Sequence, residues 1–178
     1  MAAPCYSGNA ASTWDAMLDL YIDADACPVK EEAYRVARRY GLKVLLVSNR
    51  GLRAPADLRA EAVLVGDALD AADDWIAERI GSGDIVVTSD IPLAARCVRK
   101  GARAVTPQGR HLTEANAGTA LAARDLMTHL RETGAVTGGG PPPLARQDRS
   151  RFLMALDEAV QAIRRRTGAP SSIAGTKR

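Results

Sequence analysis

The chain is poor in the residues from which many catalytic and metal centres are built. Its three cysteines, Cys5, Cys27 and Cys97, form no C-x-x-C pair. An odd, scattered set argues against a disulfide framework or a zinc ribbon and fits a reducing, cytoplasmic setting. The two histidines, His111 and His129, are too few and too separated for a His-based site. Aromatic residues make up only 4% of the sequence, so alanine and the short aliphatics must build the core. No run approaches about 18 consecutive apolar residues, so no membrane span is expected. The first residues lack the basic start and apolar stretch of a signal peptide, so export is not expected either. Neither Gly81-Ser82-Gly83 nor Gly138-Gly139-Gly140 fits a P-loop or a dinucleotide fingerprint, which argues against nucleoside triphosphate and NAD chemistry.

What remains is an ordinary globular composition, 47% hydrophobic and 25% charged, over 178 residues, enough for one domain with a sizeable core. The net charge of +3 is mildly basic, which permits a polyanionic partner without requiring one. Met17 immediately precedes the first apolar run, so residues 1–16 read as a dispensable extension and residues 17–166 as the domain. Within it, residues 134–147 carry Gly138-Gly139-Gly140 beside Pro141-Pro142-Pro143, a composition fit for a linker or functional loop, and residues 148–166 read as a C-terminal helix. Residues 167–178 have the composition of a disordered tail.

Strand and helix patterns alternate along the domain. Leu18, Leu20 and Ile22 mark a short strand, and Pro28 to Tyr40 is amphipathic and closed by Gly41. Lys43 to Ser48 is almost continuously aliphatic, the pattern of a parallel strand covered on both faces. Further strands are expected at Ala62–Val65, Ile85–Thr88 and Ala104–Thr106, with helices from Asp67, from Pro92 to Lys100, and over Thr119–Thr133 beyond a cap at Thr113. In the Thr119–Thr133 helix the apolar face is expected at Leu121, Leu126, Met127 and Leu130. The pattern predicts a three-layer α/β fold, a mostly parallel five-stranded sheet with helices on both faces and a C-terminal helix.

Carboxylates sit where such a fold gathers its strand ends. Asp23 and Asp25 close the first strand and can point the same way if the backbone stays extended. Asp90 leaves the fourth strand after Thr88-Ser89, and the helix before that strand opens with Asp67, Asp70, Asp73 and Asp74. If the first and fourth strands are neighbours at a switch point, these acids converge. Carboxylates without His or Cys suit Mg²⁺ or Mn²⁺ rather than zinc. The plainer reading of Asp67, Asp70 and Asp74 is stabilisation of a helix N-terminus, and of Asp90 a cap. Lys30, Arg50 and Arg110 are candidate phosphate contacts, with ordinary surface charge as the alternative, and Thr88 and Ser89 could orient a ligand or phosphate oxygen. Cys27, before a helix start, is either a favoured thiolate or a small packing residue.

The segments Ile22-Asp-Ala-Asp-Ala-Cys-Pro-Val-Lys30, Ala72-Asp-Asp-Trp-Ile76, Gly83-Asp-Ile-Val-Val-Thr-Ser-Asp-Ile-Pro-Leu-Ala-Ala95, and Thr137-Gly-Gly-Gly-Pro141 with Asp148-Arg149 resemble the bacterial YaiI/YqxD family, over nearly all of residues 17–165. The resemblance implies a PIN-like fold, a class of Mg²⁺- or Mn²⁺-dependent ribonucleases. By position it implies metal-holding roles for Asp23, Asp73 and Asp90, with Asp25 belonging to the D-x-D form of this family. The Glu that many PIN domains carry on a helix between the first and third acids has no equivalent here beyond Glu61, leaving Asp25 or Asp70 as substitutes. The expected function is metal-dependent phosphodiester hydrolysis, most simply of RNA, by Asp23, Asp25, Asp73 and Asp90. The rival expectations are a haloacid-dehalogenase-like phosphatase with Asp23 as nucleophile and a non-catalytic module binding RNA or a protein partner.

Overall fold

Leu20, Tyr21 and Ile22 are successive residues and all are buried, which only an internal strand covered on both faces permits. The computed structural model describes residues 18–25, 27–68, 70–135 and 144–167; the extension 1–16, most of the Gly/Pro-rich stretch and the tail beyond Thr167 lie outside the described residues, as do Met17 and Leu69.

The strands are β1 (Asp19–Asp23), β2 (Lys43–Ser48), β3 (Ala60–Leu64), β4 (Ile85–Val87), β5 (Arg103–Val105) and β6 (His111–Leu112). The helices are α1 (Lys30–Tyr40), α2 (Ala71–Arg79), α3 (Ile91–Arg99), α4 (Glu114–Glu132) and α5 (Arg146–Thr167). One six-stranded sheet has the order β3-β2-β1-β4-β5-β6, parallel except for the β5–β6 pair. The expected five-stranded sheet therefore gains a sixth strand, a two-residue hairpin arm too short to show any periodicity in sequence.

Alternate residues of each central strand feed two cores. Leu20, Ile22, Val44, Leu46, Ile85 and Val87 face α1 and α5, whose Val36, Phe152, Leu156 and Val160 complete one layer. Tyr21, Leu45, Val47 and Val86 face α2 and α3, with Ile76, Leu93 and Cys97. The result is three layers, helix–sheet–helix, as the pattern predicts. Crossovers from β1 go to β2 on one side and, after α2, return to β4 on the other. The sheet order thus reverses beside β1, the place where open parallel sheets leave a crevice at their strand ends.

Two local features differ from expectation. α1 begins at Lys30, with Pro28 and Val29 forming the turn before it and the amide of Ala33 donating to Val29 O at 3.0 Å. α4 starts earlier than expected, directly after Thr113, whose amide donates to Asn116 Oδ1 at 2.8 Å. Its packed side matches the apolar one read from the sequence only in part, since Leu121 and Leu130 are half-buried. Ala117 is buried and Ala120 packs on the core, while Leu126 and Met127 are exposed. Small side chains let the helix lie close to the body, and that contact outweighs the larger residues' preference for burial.

Candidate active site

The register decides which polar groups meet at the crevice. Ile22 of β1 is level with Val87 of β4, so Asp23 stands beside Thr88; Asp23 is also level with Val47 of β2, which brings Ser48 beside the next residue of the chain. Asp23 is 6% exposed, and Thr88 and Ser48 are buried. A buried carboxylate needs donors, and Thr88 Oγ1 donates to Asp23 Oδ2 at 3.0 Å. The same hydroxyl accepts from the amide of Asp90 at 2.9 Å. One threonine thereby ties the acid ending β1 to the acid opening α3.

Asp90 caps α3, its Oδ1 accepting from Leu93 N at 2.8 Å, as the cap reading expects, and its second oxygen lies 4.0 Å from Arg124 Nη2 of α4. Asp73, in the first turn of α2, joins this group electrostatically. Burial, and then the charges of Asp90, Asp23 and Asp70, push its carboxyl up to about 6, against the pull of Arg96. Asp70 precedes α2 in a left-handed conformation, φ 64°, uncommon for a residue with a side chain, and is exposed. Asp74 is turned to Arg96, 2.8 Å away, the surface role expected of a helix-start acid.

Asp25 parts company with Asp23. β1 ends at Asp23 and the chain bends after it, the Ala24 amide donating to Val47 O at 2.9 Å, so Asp25 turns toward β2 instead of following Asp23. Its oxygens accept from Ser48 Oγ at 2.6 Å and Asn49 N at 2.9 Å, and Ser48 Oγ in turn accepts from Arg50 N at 2.9 Å. The pair of acids that sequence places side by side braces two different strand exits. Ser48 carried a signal in sequence, a hydroxyl closing an apolar run as Thr88 does. Arg124 carried none, because only the packing of α4 brings it to Asp90.

Lys30 Nζ donates to Ala24 O at 2.9 Å, so it steadies the bend after Asp23. Arg50 and Ser89 are exposed at the exits of β2 and β4. Arg110 sits in the β5–β6 turn, separated from Asp23 by β4 and β5. Glu61 lies on β3 and pairs with Lys43 at 3.3 Å, away from the acids. Cys27 is buried in the core with its thiol pushed up to about 11 by that burial, which supports the packing reading. His111 lies 3.5 Å from Glu158 of α5, outside the crevice.

The acids offer oxygen donors alone, a set that suits a hard divalent cation in kind. As placed, no three His, Cys, Asp or Glu side chains among the described residues stand close enough to hold one ion. The carboxylates share an edge and repel one another across it.

The family model described as "Uncharacterized BCR, YaiI/YqxD family" matches residues 21–162, a span that contains every acid named above. The chain belongs to the YaiI/YqxD family. A UPF0178 protein of Rhodospirillum centenum is 60% identical over 152 residues, 84% of this chain and 99% of its own length. A UPF0178 protein of Parvibaculum lavamentivorans is 56% identical over 150 residues, 84% of this chain and 98% of its own. No solved structure is significantly similar to the chain. In this YaiI/YqxD protein, no helix among the described residues is long and apolar enough to cross a membrane.

Proposed function

We propose that the crevice beside β1 is a phosphodiester-hydrolysing site that works with Mg²⁺ or Mn²⁺ and acts on single-stranded RNA. The observation that carries the reading is the approach of acids at the sheet's switch point: Asp23 ending β1 and Asp90 opening α3 are joined through Thr88, and Asp73 opening α2 is near enough for both their charges to raise its pKa. Asp23, Asp73 and Asp90 would draw together to hold the cation, while Asp25 braces the β2 exit beside them. Such an ion, when bound, supplies a water of lowered pKa and neutralises charge on the scissile phosphate.

The chain's own residues prepare the site. Thr88 holds Asp23 Oδ2 in place through its hydroxyl. Asp90 spends Oδ1 on the α3 cap, and its Oδ2 faces Arg124 of α4, 4.0 Å away. Asp73, its carboxyl pushed up to about 6 by burial and its acidic neighbours, holds a proton over a range where an ordinary aspartate does not. Asp25 and Ser48 keep the β2 exit in place beside them.

The test is cleavage of single-stranded RNA with and without Mn²⁺. Asp23→Asn and Asp90→Asn keep size and hydrogen bonding, and Asn also caps helices well, so the fold should survive. Together they should lower turnover by at least about 100-fold, about 2.7 kcal/mol of barrier. Activity surviving both substitutions would sink the assignment, and an aspartyl-phosphate trapped at Asp23 would point to the phosphatase instead.

A further inference from the structure

We infer that Arg124 of α4 is a phosphate-binding residue of this crevice, contacting the RNA backbone next to Asp90; the inference rests on the proposed reading of the site and adds a substrate contact to it. α4 presents Ala117 and Ala120 to the body of the protein, and Arg124 continues that stripe at helical spacing. A large cation thus stands a turn beyond the packed alanines, exposed at the edge of that contact.

Its partners do not account for it. Arg124 Nη2 is 4.0 Å from Asp90 Oδ2 and Nη1 is 3.8 Å from Asp125 Oδ1, both beyond hydrogen-bond reach, and the side chain is half-exposed. It also lies at the N-terminal end of α3, the positive pole of that helix, where a cation gains nothing from the dipole. Two other cations near the acids are engaged, Lys30 with Ala24 O at 2.9 Å and Arg96 with Asp74 at 2.8 Å. Arg124 keeps its planar fork of donors, the geometry that matches two oxygens of a phosphate. A phosphodiester laid across the Asp73–Asp90 edge brings negative charge into a set of acids. The guanidinium beside Asp90 offsets that repulsion at the point where the backbone must pass.

The experiment uses the full chain and a fluorescein-labelled oligo(U), with anisotropy titrations in Ca²⁺ over a series of salt concentrations. Arg124→Ala should weaken binding about 10-fold, about 1.4 kcal/mol. It should also flatten the salt dependence by about 0.7 in log–log slope, the share of one single-strand phosphate contact. Arg124→Lys should recover part of the affinity, because it restores the charge without the fork. Arg99→Ala, at the far end of α3 about 13 Å along the helix from Asp90, removes the same charge and should bind as the wild type does. Equal affinities for Arg124→Ala and Arg99→Ala would overturn the inference. So would a lowered melting temperature in Arg124→Ala with RNA affinity intact, since that marks a structural partner of Asp90. Wild-type protein that binds RNA through Arg124 without cleaving it in Mn²⁺ would support this inference and overturn the hydrolytic reading. Wild-type protein that does not bind RNA would overturn both.

Discussion

Replacing Asp73 with Asn tests whether the carboxylates at the crevice repel one another. The Asp73 carboxyl is raised from 3.8 to about 6, by burial first and then by Asp90, Asp23 and Asp70. In the unfolded chain the group ionises near its ordinary value. Between the two values the folded state therefore holds a proton that the unfolded state has lost. Stability must fall as pH rises through that window, and the cost is complete once pH exceeds the folded value. The shift of about 2 units corresponds to about 3 kcal/mol at most. Asp73 is only half-buried, so solvent screening reduces this to about 1 kcal/mol. Asn cannot ionise. In EDTA the variant should melt about 2–4 °C above the wild type near pH 7.5, and the gain should shrink to a few tenths of a kcal/mol near pH 4. Thermal melts by circular dichroism at the two pH values measure both. A variant less stable at the higher pH, or a gain that does not change with pH, would refute the account of mutual repulsion. With Mn²⁺ added, the wild type should recover the deficit and the variant should gain less.

Two further substitutions test the frame around the site. Gly109 turns at φ 75°, and a Cβ there would lie 2.6 Å from the carbonyl carbon of Arg151 on α5. Gly109→Ala combines a left-handed penalty with a backbone clash and should cost about 3 kcal/mol, read as a drop of about 10 °C in melting temperature; a drop under about 3 °C would show that the turn and α5 separate easily. Glu32 of α1 is buried, with Oε1 held by Arg149 Nη1 of α5 at 2.8 Å and Oε2 without a hydrogen-bond partner among the described residues. Arg149→Ala leaves that charge unpaired and should cost about 2 kcal/mol in urea unfolding, discounted because Arg149 is itself partly exposed; the double variant with Glu32→Gln should recover part of the loss, and a double variant as unstable as the single would count against a buried-charge penalty.

Much of the frame was legible because it follows from periodicity. The Val44–Val47 run could only be a strand covered on both faces, and all four residues are buried. The alternation of strands with helices implied parallel neighbours, and β1 indeed lies between β2 and β4. Thr88-Ser89-Asp90 before Pro92 read as a strand exit, with a helix cap as the plainer alternative to a site role for Asp90, and Asp90 does cap α3. The same logic misjudged α4 in part, where hydrophobicity pointed to Leu126 and Met127 although the contact is made by Ala117 and Ala120. Close approach favours small residues, and hydropathy alone does not register that.

By itself the sequence determined that acids close two apolar strands and open a helix, and that strand ends of this kind share one edge. Those facts depend on local pattern and on the handedness of the chain. Only the tertiary structure decided how the acids divide. Parallel register set Thr88 beside Asp23 and Ser48 beside the bend that follows it, so Asp23 was tied to Asp90 while Asp25 was drawn to the exit of β2. It also set Arg124 against Asp90, since two residues far apart in sequence become neighbours only when α4 settles on α3.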